Sequence, residues 1–169
     1  MGEEIDTIHF SEQDFSDYRK YLADETALLS EWFMQDRLAA QHNVGGFELE
    51  VWIVDHNYNP IPINDEYLNK LNSEWASPEL SRFNIELNGA PEVLQGKALS
   101  RLQHTLQQSW QHCYQVAGEF DAALVMIGTL PSVRDEQMVL ENMSRMKRYY
   151  ALNEQVLKQR QGKPLILDI

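Results

Sequence analysis

Two spacings organise the hydrophobic positions of this chain, one helical and one extended. Apolar side chains recur at Phe15, Tyr18, Leu22, Leu28, Leu29, Trp32 and Phe33, which predicts a helix with one buried stripe and a solvated face rich in Asp and Glu. Ser11 is a good N-cap, Asp14 stands at the third helical position and Phe10 can staple to Phe15, so this helix begins near residue 11. Asn43 and Gly45 supply its stop. Leu99, Leu102, Leu106, Trp110, Cys113, Val116 and Phe120 mark a second long helix from about Lys97 to Phe120. A third is expected from Ser132 or Asp135 to Gln161, with Met138, Met143, Met146, Tyr150 and Leu157 on its inner side and Gly162 and Pro164 as its stop. Its last turns carry Lys158 and Arg160, favourable against the negative end of a helix.

The extended segments lie between these helices. Residues 46–54 are rich in Val, Ile, Phe and Trp, and the Asn, Asp and Pro of "DHNYNPIPIND" then punctuate a turn and loop. A short amphipathic stretch around Tyr67, Leu68 and Leu71 precedes a second extended run, "SRFNIELN" at 81–88, which Gly89, Ala90 and Pro91 end. "AALVMIGTL" reads as a further strand closed by Pro131, and "LILDI" at 165–169 as one more, with the apolar Ile169 at the very terminus. Termini are usually polar and frayed, so that ending suggests an N-terminal portion of a larger protein; a complete short edge strand is the alternative. The expected fold is α+β, a single domain over 1–169 in which long amphipathic helices pack on a small, mostly antiparallel sheet, with residues 1–43 as an N-terminal helical extension.

Composition narrows the function classes. The 169 residues carry 26 acids and 14 bases, a net charge of −12, which repels nucleic acid and anionic membrane faces. The acidity is uneven: residues 1–96 hold 19 acids and 5 bases, residues 97–169 hold 7 and 9. A single cysteine, Cys113, excludes an internal disulfide and fits a reducing compartment. There is neither a secretory signal nor a bilayer-length apolar run, and a cytoplasmic protein is expected.

Within "GGFELEVWIV" at 45–54, alternation puts Glu48, Glu50, Trp52 and Val54 on one face and Phe47, Leu49, Val51 and Ile53 on the other. Both faces look at least partly covered, and ionised carboxylates there cost several kcal/mol each, on the order of a buried charge, unless something positive neutralises them. The second run repeats the pattern, with Phe83, Ile85 and Leu87 opposed to Asn84, Glu86 and Asn88. If the strands are neighbours, Glu48, Glu50 and Glu86 converge, and Glu79 reaches the same end of the sheet. All-oxygen sites of this kind select Mg2+ or Mn2+, and Mg2+ commonly bridges carboxylates to phosphates. The competing account is a half-exposed antiparallel sheet whose Glu face simply meets water.

The series "GGFELEVWIVD", "SPELSRFNIELN" and "MSRMKRYYALNEQ" resembles the N-terminal part of the glutamate–cysteine ligase family, carboxylate–amine ligases with a glutamine-synthetase-like catalytic domain. The likeness runs from about residue 44 to the end and rests on order: Glu-x-Glu on a first strand, Glu79 seven residues before Glu86, a long helix, a strand ending "GTLP", and a helix with Arg148 and Tyr149. It implies ATP-dependent phosphorylation of a glutamate side-chain carboxylate, followed by attack of an amine, cysteine in the namesake enzymes of glutathione biosynthesis, on the acyl phosphate. It further implies Glu48, Glu50, Glu79 and Glu86 as Mg2+ or Mn2+ ligands and Asn88 as a contact to the amino-acid substrate. Family members are longer and supply a metal-binding histidine and phosphate-binding bases from later strands. His9, His42, His56, His104 and His112 do not match that histidine, so the chain alone is expected to hold half a site and to be inactive.

Other features carry less. Arg145 and Arg148 share a helix face; a surface cluster accounts for them, with nucleotide binding by Arg148 as the functional alternative. Gly45-Gly46 lacks the Gly-Lys-Ser/Thr ending of a phosphate loop. Cys113 and His112 point about 100° apart on a helix and cannot form a nucleophile pair. A reading of another class remains beside the ligase: a non-catalytic acidic domain whose open sheet edge docks a partner or forms a homodimer.

Overall fold

The computed structural model describes residues 3–38 and 43–163. In chain order its elements are α1 (Glu12–Met34), β1 (Val44–Gly45), β2 (Glu48–Val54), α2 (Asn64–Leu71), β3 (Ala76–Pro78), β4 (Asn84–Asn88), β5 (Glu92–Val93), α3 (Ala98–Glu119), β6 (Ala123–Val125) and α4 (Lys147–Gln159), with single 3-10 turns at Asp135–Gln137 and Leu140–Asn142. Strands pair antiparallel throughout and helices cover the sheet, so the fold is α+β. The residues divide into two compact units, 1–40 with 145–169, and 41–144. The strand expected at 165–169 lies outside the described residues.

The larger unit is built on a four-stranded sheet in the order β3-β4-β2-β6, with β1 and β5 forming a separate two-stranded ribbon. Glu48 pairs with Asn88, Leu49 with Leu87, Glu50 with Glu86, Val51 with Ile85 and Trp52 with Asn84. Side chains alternate along each strand, so this register puts Leu49, Val51, Ile53, Ile85 and Leu87 on one face. That face packs against Tyr67 and Leu71 of α2 and Cys113, Val116 and Ala117 of α3 to make the core. Burying each such aliphatic side chain contributes about 1.5–3 kcal/mol, which makes the register costly to change. Phe83 departs from the expected alternation: it stands outside this cluster and its ring stacks on Trp52, centroids 5.6 Å apart. Tyr67 is fully buried and its hydroxyl donates to the Cys113 carbonyl at 2.7 Å; burial pushes the phenol far above its ordinary pKa.

The third long helix expected over 132–161 does not form as a unit. Its second half is α4, but the segment before it holds only the two 3-10 turns, and the connection between β3 and β4 captures its backbone: Arg82 N–H donates to the Asn142 carbonyl at 2.7 Å, Ser144 N–H to the Leu80 carbonyl at 2.9 Å, and Ser81 bridges to Met143. Met138 is consequently exposed instead of inward. Asn64 holds this junction. Completely buried at the start of α2, its Nδ2 lies 2.8 Å from Ser144 Oγ, 3.2 Å from the Asn84 carbonyl and 3.3 Å from the Ser81 carbonyl.

In the smaller unit the expected start of α1 is present in full. Ser11 Oγ accepts from Asp14 N–H, Asp14 accepts from Ser11 N–H at 2.7 Å, and the Phe10 and Phe15 rings meet edge-on. The helix stops at Met34, nine residues before Asn43, with Asp36 in a left-handed conformation at φ 53°. The buried stripe is absent: no residue of α1 is buried, and Tyr18, Leu22, Leu29 and Phe33 are half or more exposed. Periodicity identified the apolar face but not its cover. The segment before α1 instead follows α4, with Lys147 Nζ donating to the Asp6 carbonyl, Arg148 N–H to Glu4, and His9 against Glu154 at 2.6 Å.

Asn64→Ala leaves the buried Ser144 Oγ without this donor, while the Ser81 and Asn84 carbonyls still accept from the N–H groups of Asn84 and Glu79, a loss of about 1–2 kcal/mol. Urea unfolding is expected to show a lower midpoint at unchanged slope, with faster hydrogen exchange over 139–144. A midpoint within error of the parent protein removes Asn64 from this role.

Candidate active site

The sheet face opposite the core carries Glu48, Glu50 and Trp52 from β2, Asn84, Glu86 and Asn88 from β4, and Ser77 from β3, paired with Glu86. This placement follows from the register: once the aliphatic residues are committed to the helices, every alternate residue must project the other way. Glu79 follows β3 directly, and its carboxylate accepts from Leu80 N–H at 3.0 Å. Of the four carboxylates expected to gather, Glu48, Glu50 and Glu86 therefore come from adjacent strands on one side of the sheet, and Glu79 stands in the connection after β3.

Their environments differ, and this corrects one expectation. Glu48 and Glu50 are exposed, so the argument that burial forces a counter-ion on them does not hold. It transfers to Glu86, which is only 7% exposed, and whose Oε1 is buried with no hydrogen-bond partner. Burial pushes the Glu86 carboxyl above its ordinary value; a hydrogen bond shared with Glu79 and the charges of Glu79 and Glu48 push the same way, while a hydrogen bond from Asn88 opposes them. Glu50 stands directly across the ladder from Glu86, where like charges disfavour each other. No three His, Cys, Asp or Glu side chains among the described residues close into a ready-made ion cage.

Negative charge thus accumulates on one side of a short sheet, around one buried carboxylate with an unused oxygen. Such an oxygen can accept a proton, a donor from a ligand, or a cation, and the all-oxygen donor set of Glu48, Glu50, Glu79, Glu86 and Asn88 suits a hard divalent ion. Trp52 borders the patch, held by its indole N–H donating to the Ile127 carbonyl at 2.9 Å. Sequence reasoning did not single out Ser77 or the Trp52 and Phe83 stack; β3 is three residues long and ends on proline, too short to read as a strand.

The other candidates have surroundings of their own. Arg148 belongs to the smaller unit, where its guanidinium lies over the Tyr149 ring at 4.8 Å and donates to the Tyr149 hydroxyl at 3.1 Å. His112 faces the Leu71 carbonyl at 3.4 Å, and burial pushes the Cys113 thiol up, so neither forms a nucleophilic centre. A groove of about 800 Å³ lies among Leu68, Asn72, Glu74, Trp75 and His112, and none of the four carboxylates lines it. No helix among the described residues is long and apolar enough to cross a membrane.

A raised carboxyl makes its folded form hold a proton that the unfolded chain has released. Stability from Glu86 is therefore present below the ordinary glutamate pKa and falls as pH rises toward its elevated folded value. Glu86→Gln is expected to raise the stability of the metal-free protein at pH 7 by about 1 kcal/mol and to flatten that fall. Chemical denaturation at pH 5 and pH 7 checks it; a variant less stable at both values shows that the carboxylate is well compensated.

A family model described as glutamate-cysteine ligase family 2 matches residues 44–165, which takes in the whole four-stranded sheet, α2, α3 and α4. Comparison with curated proteins and with solved structures gives no match.

Proposed function

The chain belongs to glutamate-cysteine ligase family 2, and from that premise we propose that its acidic sheet face binds a divalent cation and the phosphates of ATP for ligation of a glutamate side-chain carboxylate to an amine. The family supports ligase chemistry, and the buried, unpartnered Glu86 Oε1 carries the assignment to this face. A carboxylate kept from water beside two other acids is unfavourable by itself. It becomes favourable once a cation offsets the repulsion, so the binding energy of the cation is available to order Glu48 and Glu50 around it.

In this reading Glu86 forms the floor of the site, Glu79 closes it from the β3 side, and Glu48 and Glu50 reach in from β2. Asn88 donates to Glu86 and so orients it, with its pairing position beside Glu48 suited to a substrate amide or ammonium contact. Bound Mg2+ or Mn2+ supplies neutralisation of phosphate charge. Phosphoryl transfer needs mainly positioning and such neutralisation. The glutamate γ-carboxylate oxygen attacks the terminal phosphorus as ADP leaves; the amine nitrogen then attacks the acyl phosphate carbon, phosphate departs, and the nitrogen gives up its proton. The strands described here hold carboxylates and no histidine, so the proposed contribution of this sheet is its acidic side. The glutamine-synthetase-like architecture of the whole enzyme belongs to the same proposal.

Mn2+ titration followed by electron paramagnetic resonance tests the site without requiring turnover. The parent chain is expected to bind Mn2+, more tightly with ATP present and in competition with Mg2+. Glu86→Gln and Glu79→Gln should each weaken binding at least about tenfold, the order of loss expected when a buried charged ligand is removed. Equal Mn2+ affinity in the parent and both variants overturns the assignment.

A further inference from the structure

The smaller unit leaves two helices of opposite charge with apolar surface uncovered. Residues 11–37, which contain α1, carry seven acids (Glu12, Asp14, Asp17, Asp24, Glu25, Glu31, Asp36) and three bases; residues 145–163, which contain α4, carry six bases and the single acid Glu154. On α1, Phe15, Tyr18, Leu22, Leu29 and Phe33 fall within one narrow stripe at helical spacing, with exposures from 36% to 70%. On α4, Leu152 and Val156 are one turn apart and 56% and 39% exposed. The segment Glu4–His9 already occupies one side of α4, and α1 departs beyond it. Residues 11–37 also precede the span matched by the family model, so the ligase reading leaves the stripe without a role.

We propose that α1 of one copy docks on α4 of a second copy, and the reverse, to form a symmetric dimer through two acidic-on-basic helix pairs. A second copy is the occupant favoured by charge: both complementary surfaces exist on this chain, and an exchange of α1 and α4 uses each once in a closed two-fold arrangement. Pairing α1 with another α1 would instead bring two acidic helices together, which like-charge repulsion opposes. At 23 residues α1 is about 34 Å long by helical rise, long enough to lay the stripe along all 13 residues of α4. Two such contacts per dimer double the apolar area removed from water.

Charge reversal in trans tests the pairing with the full chain. One variant carries Glu12→Lys and Glu25→Lys, which flank the apolar stripe of α1; the other carries Arg160→Glu and Lys163→Glu at the end of α4. All four positions are exposed, and circular dichroism confirms that each variant keeps its helices. By sedimentation velocity the parent chain is expected to dimerise at micromolar concentration, each variant alone to dissociate at least tenfold more readily, and an equimolar mixture to recover part of the dimer, since the mixed dimer rebuilds one parental acidic-on-basic pair that neither variant can form alone. A parent chain that stays monomeric at 100-fold higher concentration overturns the proposal. So does a mixture no more associated than its components, the result expected if α1 closes on its own chain, meets another α1, or takes a different protein. Neither variant alters Glu48, Glu50, Glu79 or Glu86, so Mn2+ binding is expected to survive in both.

Discussion

The antiparallel pairing of β2 with β4 is the constraint from which the candidate site follows. Side chains repeat every two residues, so a slip of one would carry Glu48, Glu50 and Glu86 into the helices and expose Leu49, Val51, Ile85 and Leu87. The core therefore enforces the register, and the carboxylates inherit their alignment from it. Asn64 and the captured segment 140–144 hold the end of β4 where Glu79 and Glu86 approach each other. Precision at the acidic face depends on packing at the opposite one.

Unequal burial then divides the labour among the acids. Glu48 and Glu50 remain in water, where they cost little and can move toward a ligand, whereas Glu86 is held in place by its strand and desolvated. In the proposed cation site, one fixed oxygen would bind and the exposed ones would close on it. Four ionised carboxylates brought together without a cation would repel one another, and among the described residues they are not gathered into an ion cage.

Much of this was legible in the chain because it depends on local chemistry. The Ser11 and Asp14 cap, the stripe of α3, and the alternation in β2 and β4 each need only a few neighbouring residues to read. Residues 138–146 misled for the opposite reason. Their apolar spacing suits a helix, but bonds to Leu80, Ser81 and Arg82, some sixty positions away, outweigh that local preference. Relative burial of the glutamates was hidden for a similar reason, since strand alternation gives the side on which a residue projects and not the depth of cover over it. In α1, likewise, the pattern specified an apolar face and was silent on what would meet it.

The acidic excess in the first half of the chain resolves into two features with different physics. On the sheet, simple salt screens weakly only at the buried Glu86, while Glu48 and Glu50 meet water. Along α1 the acids are exposed, and at physiological ionic strength their reach extends only about 8 Å, so they select among surfaces already in near contact. Apolar burial must then provide most of the stability of any α1 complex, with charge choosing the partner and its orientation. On the two proposals above, a single compositional bias would serve a cation at one place and a basic helix at another, and added salt would act on both wherever the acids meet water, least at the buried Glu86.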